Sequence, residues 1–341
     1  LGTTDTGSSP ILADTDADTF RDDLEVAAGS NPSDAKSTPP APDVGLSRPA
    51  SSPDAVVVFN EVQFNPSGVS EAGEWIELFN QMGIVTDLSG WRIDGIDYIF
   101  PAGTVIDPGA YLVIAKSPTA GQLGPFIGNI DNGGERLRLI NQGDRLMDEL
   151  DFGDDGRWPA AADGSGATLA KLRPYTANKP PENWTVSQQV GGTPGAVNFS
   201  DPANPGVGPQ LAFNEVPEAT VLNFWVELIN TGLVEISLAG ITVSVGAFPV
   251  QEYALPAGTL ASGARLLLDE ATLGFRPADG EKLYLHDASG TAVLDGREVT
   301  GRLRGRAPSR DGAWLYPSAA TPNAANTFDF HEEIVISEIA Y

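Results

Sequence analysis

Two short stretches decide the fold of this chain: Val56-Val57-Val58-Phe59-Asn60-Glu61-Val62 and Glu74-Trp75-Ile76-Glu77-Leu78-Phe79-Asn80. Both are rich in β-branched and aromatic residues, a composition that favours β-strands. In the second stretch apolar Ile76 and Leu78 alternate with the residues around them, so they share one face of a strand. We predict that these stretches are two strands with one face in a hydrophobic core.

The same pair of stretches returns later in the chain. Leu211-Ala212-Phe213-Asn214-Glu215-Val216 is followed by Phe224-Trp225-Val226-Glu227-Leu228-Ile229-Asn230, and Ile334-Val335-Ile336-Ser337-Glu338-Ile339 is a third copy of the first stretch. A fold repeated in tandem is therefore the first prediction. We place one domain at residues 55–200, a proline-rich linker at 201–209, a second domain at 210–330 and an orphan first strand at 331–341.

Further landmarks recur in the same order in both domains. Pro101-Ala102-Gly103-Thr104 corresponds to Pro256-Ala257-Gly258-Thr259, and residues 193–198 correspond to residues 321–326. We also align Ala167-Thr168-Leu169 with Gly312-Ala313-Trp314-Leu315, near the end of each domain. Short strand-like stretches lie about ten residues apart and are separated by turns such as Pro-x-Gly and Asp-Pro-Gly, which is typical of an all-β sandwich.

The composition excludes several classes of function. The chain has 341 residues, 41% of them hydrophobic, which is enough to bury real cores. Its formal net charge of −26 argues against nucleic acid as a partner, because nucleic acid is itself a polyanion. There is no Cys, and no apolar run approaches the roughly 20 residues of a membrane helix, so we expect no membrane insertion. The only two histidines, His286 and His331, have no triad or zinc partners at motif spacing.

An acidic segment precedes the first domain, at residues 1–54. Within it, carboxylates fall at positions 1, 3, 5, 9 and 12 of a twelve-residue loop that starts at Asp14. Oxygens at that spacing can converge on Ca²⁺, with a backbone carbonyl added at position 7. The predicted ligands are therefore Asp14, Asp16, Asp18, Phe20 (through its carbonyl), Asp22 and Glu25. Thr19 stands where such loops usually have glycine, and the alternative is a solvated acidic linker.

The residues after this loop extend the pattern. Residues 25–32 read Glu-Val-Ala-Ala-Gly-Ser-Asn-Pro, so that residues 12–38 resemble a bacterial thrombospondin type 3 repeat. That resemblance implies a calcium-stabilised segment with Ca²⁺ as the cofactor. Only Asp34 follows at a useful distance, so the repeat would be single or terminal.

The landmarks of residues 56–198 resemble the lamin tail domain. They include the Asn60-Glu61 pair, Glu74-Trp75, Leu88-Ser89-Gly90-Trp91, and the closing Thr193-Pro194-Gly195 with Asn198. The resemblance implies an immunoglobulin-like β-sandwich, and a weaker form of the same pattern covers the second domain. It also implies a non-catalytic module. Glu61 and Glu77 could be an acid/base pair, but we interpret these carboxylates, which we place inside the sandwich, as acceptors for internal hydrogen bonds.

One cluster of basic residues stands out in this acidic chain. It comprises Arg297, Arg302, Arg304, Arg306 and Arg310, and the middle three share one face if the backbone is extended. One interpretation is an edge strand whose charges prevent pairing with other chains. The other is a docking site, at Arg302, Arg304 and Arg306, for an acidic protein or an anionic surface glycan.

These observations predict a non-catalytic structural or adhesive module of a secreted or cell-surface bacterial multidomain protein. Its partners would be other domains or other copies of the chain. One alternative is a fibre subunit that donates residues 331–341 to a neighbour, with Ile334, Ile336 and Ile339 as the contacts. Another is an accessory region of an exported enzyme. Because the chain begins at Leu1 and ends on a domain-start strand, we expect it to be part of a longer protein that continues past Tyr341.

Overall fold

The computed structural model describes residues 15–16, 22, 26, 30–37, 56–66, 71–200, 210–246, 251–310 and 312–331. The chain divides into two compact units near residue 205. In unit 1 the described β-structure lies between residues 57 and 186, and in unit 2 it lies between residues 211 and 315. The linker that we predicted at residues 201–209 lies outside the described residues.

Unit 1 is built from strands that all pair in antiparallel fashion. The strands are β1 (Val57–Gln63), β2 (Trp75–Asn80), β3 (Thr86–Asp87), β4 (Arg92–Asp94), β5 (Tyr98–Ile99), β6 (Val105–Ile106), β7 (Tyr111–Ala115), β8 (Gly134–Ile140), β9 (Leu146–Gly153), β10 (Leu169–Lys171) and β11 (Trp184–Val186). Short 3₁₀ helices lie at Glu71–Gly73, Ala160–Ala162 and Pro181–Asn183.

The strands of unit 1 form two main sheets. The five-stranded sheet has the order β11-β10-β1-β2-β7, the four-stranded sheet has the order β5-β4-β8-β9, and β3 pairs with β6. Phe59, Ile76 and Leu78 of the first sheet share one buried cluster with Leu137 and Leu150 of the second. Two antiparallel sheets that pack through such inner faces make a β-sandwich, so the predicted all-β, immunoglobulin-like fold is confirmed.

Unit 2 repeats this arrangement strand by strand. Its strands are β12 (Leu211–Val216), β13 (Trp225–Asn230), β14 (Ile236–Ser237), β15 (Thr242–Val245), β16 (Gln251–Ala254), β17 (Thr259–Leu260), β18 (Arg265–Asp269), β19 (Lys282–His286), β20 (Val293–Glu298), β21 (Arg304–Ala307) and β22 (Ala313–Leu315). The sheets have the orders β22-β21-β12-β13-β18 and β16-β15-β19-β20, and β14 pairs with β17. Each sheet therefore has its counterpart in unit 1.

Unit 2 also contains a one-turn helix, α1 (Glu270–Leu273), and a 3₁₀ helix at Pro308–Arg310. Asp269 caps α1 by accepting a hydrogen bond from the Thr272 N–H at 2.8 Å. Where the structure describes the chain, none of its helices has the length and apolar character needed to cross a membrane.

One detail of the predicted repeat alignment is wrong. Residues 313–315 form β22, which corresponds to β11 and not to the stretch around Leu169. The true counterpart of β10 is β21, because Ala170 pairs with Glu61 as Gly305 pairs with Glu215. The physical reason lies in the connections: residues 172–183 join β10 to β11, but only residues 308–312 join β21 to β22. A shorter connection displaced the alignment by one strand.

Candidate functional site: a repeated carboxylate network

A β-bulge lies at the same place in the first strand of each unit. In β1 it falls between Phe59 and Glu61, and in β12 it falls between Phe213 and Glu215. A bulge inserts one extra residue and changes the direction of the side chains that follow it. As a result Glu61 lies directly opposite Glu77 on the neighbouring strand, and Glu215 lies opposite Glu227.

The paired glutamates are fully buried, yet they do not lie in the core between the sheets. Glu77 sits between Ile76 and Leu78, which both face that core. Because side chains alternate along a strand, Glu77 and its opposite neighbour Glu61 face the outer side of the sheet. Residues 192–198, which we call the closing segment of unit 1, cover them there. Our placement of the two carboxylates inside the sandwich was therefore wrong.

In unit 1 both oxygens of each carboxylate accept hydrogen bonds. Glu61 accepts from the backbone N–H of Thr193 at 3.1 Å and from its hydroxyl at 2.9 Å. The Thr168 hydroxyl donates to the other oxygen of Glu61. Glu77 accepts from the Gly195 N–H at 2.6 Å and from the Asn60 side-chain amide at 2.8 Å. The closing segment is therefore fastened to the sheet through these carboxylates.

Two asparagines complete this arrangement, which we call the carboxylate network. The side-chain amide of Asn198 donates to the carbonyl of Asn60 and to that of Lys171, each at 3.0 Å. The Asn60 amide in turn donates to Asn198 Oδ1 at 2.9 Å. Asn198 thus joins the bulge of β1 to the end of β10, so one side chain holds the closing segment against two adjacent strands.

Unit 2 contains the same network on equivalent residues. Glu215 accepts from the N–H and the hydroxyl of Thr321, each bond with Oε2 being 3.1 Å long. Asn326 donates to the carbonyls of Asn214 and Arg306, each at 2.9 Å. Glu227 accepts from the Asn214 amide at 2.6 Å and from the Asn323 N–H. The prediction that residues 193–198 and 321–326 correspond is confirmed.

A substitution in the second closing segment (residues 320–326) has a simple physical reason. Gly195 has φ 81°, and Asn323, which takes its place in unit 2, has φ 62°. Asparagine is among the few residues with a side chain that adopt this left-handed conformation readily. The backbone N–H can therefore keep pointing at the glutamate in both units.

The two networks differ in the charge beside the second glutamate. In unit 2, Arg265 Nε lies 3.6 Å from Glu227 Oε1. Tyr111 occupies the corresponding place in unit 1, because it pairs with Phe79 as Arg265 pairs with Ile229. Without a cation, burial raises the pKa of Glu77 from 4.5 to about 8. Burial also raises the pKa of Glu61 and that of Glu215, against the opposing effect of their hydrogen bonds with Thr193 and Thr321.

A pair of opposite charges lies beside each network, half-buried in unit 2 and fully buried in unit 1. In unit 2, Arg306 contacts Asp295 Oδ2 at 3.2 Å, and that oxygen accepts from the Phe213 N–H at 2.9 Å. In unit 1, Asp148 Oδ2 accepts from the Phe59 N–H at 2.9 Å, and Lys171 lies 3.5 Å from the Phe59 carbonyl. Lys171 and Asp148 are both fully buried. They are the counterparts of Arg306 and Asp295.

The geometry shows that these carboxylates bind other parts of the same chain and not a substrate. A general acid or base must reach a substrate, whereas Glu61, Glu77, Glu215 and Glu227 are all 0% exposed. Each accepts hydrogen bonds from the segment that covers it. Over the residues that the structure describes, there is also no group of three or more His, Asp or Glu side chains that could hold a metal ion.

Six residues are predicted to bind calcium. Asp14, Asp18, Phe20 and Glu25 lie outside the described residues. Of the other two, Asp22 accepts hydrogen bonds from the N–H of Thr15 at 2.7 Å and from its hydroxyl at 2.6 Å, and Asp16 is half-buried. The calcium loop stays a prediction.

The predicted arginine surface lies on and before β21. That strand is paired on both sides, with β12 and with β22, so the interpretation as an edge strand is wrong. Arg302 is exposed and Arg304 is half-buried, and their guanidinium carbons lie 4.3 Å and 4.5 Å from the Tyr316 ring centroid. Arg306 turns inward to Asp295. The other predicted partner contacts, Ile334, Ile336 and Ile339, lie outside the described residues.

A comparison with known families supports the fold at this site. The family model described as Lamin Tail Domain matches residues 50–154, which include the bulge of β1, Glu61 and Glu77. This part of unit 1 is therefore similar to a lamin tail domain, an immunoglobulin-like module. The match ends just after β9, and β10, β11 and the closing segment lie beyond it. No curated protein matches the chain.

Sequence reasoning missed the residues that complete the site. Asn60 and Asn198 were used as landmarks, but their mutual hydrogen bonds were not expected. The available signal was the return of the same asparagines as Asn214 and Asn326. Lys171 and Asp148 were not identified as candidates, because they lie far apart in sequence and no local pattern indicates that they form a charge pair.

Proposed function

We propose that this chain is a non-catalytic structural or adhesive module of a secreted or cell-surface bacterial protein. The observation that carries the proposal is the carboxylate network, which is present twice. In both units, buried carboxylates that could have acted as catalytic groups instead hold the end of the unit against its first strand. Lamin tail domains of the immunoglobulin-like type are non-catalytic structural modules, which supports the same conclusion.

The network suits a module that transmits mechanical load. The first strand of unit 1 and its closing segment are the two ends of one unit, and they are joined by hydrogen bonds from Thr193 and Asn198. A pull on both ends therefore acts on several buried hydrogen bonds together. Unpaired buried polar groups cost about 1–3 kcal/mol each, so separating the two segments is unfavourable until water enters.

Pulling on single molecules tests this role. We expect the full chain, held at both ends, to extend in two separate steps, one for each folded unit, at forces well above those that straighten a linker. The control is the Asn198→Ala variant, in which the step of unit 1 should move to lower force and the step of unit 2 should not. Smooth extension without separate steps would contradict a load-transmitting role.

We also propose that Ca²⁺ stiffens residues 12–38, with Asp14, Asp16, Asp18, Asp22 and Glu25 as side-chain ligands and Phe20 as a carbonyl ligand. Five carboxylates so close together repel one another until a cation neutralises them. For partners, we propose other domains or copies of the chain. Arg302 and Arg304 offer a positive surface that complements the chain's net charge of −26.

Calorimetric titration of the chelator-treated full chain with Ca²⁺ tests the proposed metal site. We expect binding that is lost when Asp16 and Asp18 are both replaced with Asn, because oxygens at alternate positions of the loop would lose their charge. Asp43→Asn is the matched control, since Asp43 lies beyond residues 12–38. Heats equal to those of dilution would contradict the proposed calcium site. They would not affect the function proposed for the two folded units.

A further inference from the structure

The buried charge pair of unit 1 has a third member that unit 2 lacks. Asn178 lies in the connection between β10 and β11, and its side-chain amide donates to Asp148 Oδ2 at 2.5 Å. The Asn178 backbone carbonyl accepts from the Trp184 indole at 2.9 Å, and the ammonium of Lys171 lies 5.8 Å from the centroid of that ring. Lys171, Asp148 and Asn178 are each 0% exposed, beneath Trp184.

Several polar atoms of this cluster lack good hydrogen-bond partners. Asp148 Oδ1 and Asn178 Oδ1 are buried without a hydrogen-bond partner. Lys171 reaches one oxygen, the Phe59 carbonyl, at a long 3.5 Å. A buried ammonium with one poor acceptor, next to two buried oxygens without donors, is unfavourable. A reaction that removes the charged amine and supplies an N–H donor would relieve both defects.

We propose that Lys171 and Asn178 become joined by an amide bond between Lys171 Nζ and Asn178 Cγ, with release of ammonia and with Asp148 as the proton carrier. The site is a self-modification site, and its substrate is the chain itself. The link would fasten the end of β10 to the β10–β11 connection, under the Trp184 ring.

The atoms of this step balance without an oxidant or a co-reactant. Neutral Lys171 Nζ adds to the Asn178 side-chain carbonyl carbon, and one of its protons passes to the Asp148 carboxylate. Asp148 returns a proton to Asn178 Nδ2, the Cγ–Nδ2 bond breaks, and ammonia leaves. Asp148 Oδ2 already contacts the leaving nitrogen, and the unpartnered Oδ1 is available for the incoming proton.

The environment favours the protonation states that the step requires. Burial lowers the pKa of Lys171, which favours the nucleophilic amine, although the charge of Asp148 opposes this. Burial raises the pKa of Asp148, which lets that carboxyl group hold a proton. Buried lysines with lowered pKa values are the ones that act as nucleophiles in proteins.

Unit 2 provides an internal control. Arg306 replaces Lys171, and a guanidinium stays protonated and does not act as a nucleophile. The connection that carries Asn178 is also missing there, because only residues 308–312 join β21 to β22. The proposed bond therefore belongs to unit 1 alone.

Mass spectrometry of the purified, folded full chain tests the proposal. We expect an intact mass lower than the sequence mass by one ammonia, and a branched proteolytic peptide that joins Lys171 to Asn178. Lys171→Arg, which keeps the charge as Arg306 does, should restore the full sequence mass while the far-UV circular dichroism stays unchanged. Asp148→Asn should also keep the full mass.

Three results would overturn the proposal. The first is the full sequence mass in folded wild-type chain. The second is loss of one water with a bond between Lys171 and Asp148. The third is loss of ammonia that persists in Lys171→Arg, because that pattern indicates cyclisation at an asparagine and not a bond to lysine.

Discussion

Replacing Asn198 with Ala should lower the free energy of unfolding of unit 1 by about 3 kcal/mol, since it leaves several buried polar groups without partners. Asn198 donates to two backbone carbonyls, those of Asn60 and Lys171, and accepts from the Asn60 amide. Water cannot replace these bonds without opening the closing segment, because Asn198 is 7% exposed. Urea unfolding, monitored by hydrogen exchange in peptides from β1 and β2, measures the decrease in the free energy of unfolding.

Two variants make this result specific. Asn326→Ala removes the equivalent side chain in unit 2 and should destabilise the peptides of β12 and β13 instead. Asn132→Ala truncates an exposed asparagine of unit 1 and should change the stability by less than about 0.5 kcal/mol, as surface substitutions usually do. Equal effects of Asn198→Ala and Asn132→Ala would mean that the network contributes nothing to stability.

The second large effect is a fall in the stability of unit 1 as the pH rises from about 5 to 8. A carboxyl group whose folded-state pKa is raised holds its proton more tightly in the folded chain. Its contribution is therefore complete below the unfolded pKa near 4.5 and is lost as the pH passes the folded pKa of about 8 in Glu77. One pKa unit corresponds to about 1.4 kcal/mol, so the decrease in the free energy of unfolding cannot exceed roughly 5 kcal/mol. We expect a decrease of about half that size.

Variants at two positions separate Glu77 from other ionisable groups. Glu77→Gln should reduce the slope between pH 5 and pH 8, because the amide does not titrate, while Glu61 and Asp148, whose pKa values burial also raises, should keep part of it. Tyr111→Arg should flatten it too, because it places a cation where unit 2 has Arg265 beside Glu227. Free energies of unfolding from urea titrations at several pH values give the slopes. An unchanged slope in Glu77→Gln would show that Glu77 keeps an ordinary pKa in the folded chain.

Local patterns were enough to predict the fold. The alternation in residues 75–79 and the turn residues around Pro101 and Pro256 placed the strands, since both signals depend only on neighbours in sequence. The resemblance of the first domain to the lamin tail domain is supported over residues 50–154. The alignment of residues 167–169 with 313–315 failed because the two units differ in the length of one connection, which strand patterns cannot reveal.

The candidate site was predictable only in part. Glu61, Glu77 and their counterparts were identified as internal acceptors, because they recur in the repeat. In the closing segment of unit 1, Thr193 donates to Glu61 and Gly195 donates to Glu77, and both donors lie more than a hundred residues away along the chain, so no local pattern connects them. The arginines near residue 304 resembled a docking surface because sequence alone does not show that Arg306 turns inward to Asp295.

The closing segment has a consequence for how the protein is made. In unit 1 the bulge of β1 is synthesised early and Thr193 and Asn198 emerge last, although they must meet to satisfy Glu61 and Asn60. A nascent chain still missing its closing segment leaves Glu61 and Glu77 uncovered and lacks the hydrogen bonds from Thr193, Gly195 and Asn198, so its native state is less favourable. Domains generally fold as units during translation. We expect unit 1 to reach its folded state on the ribosome only after residue 198 has left the exit tunnel.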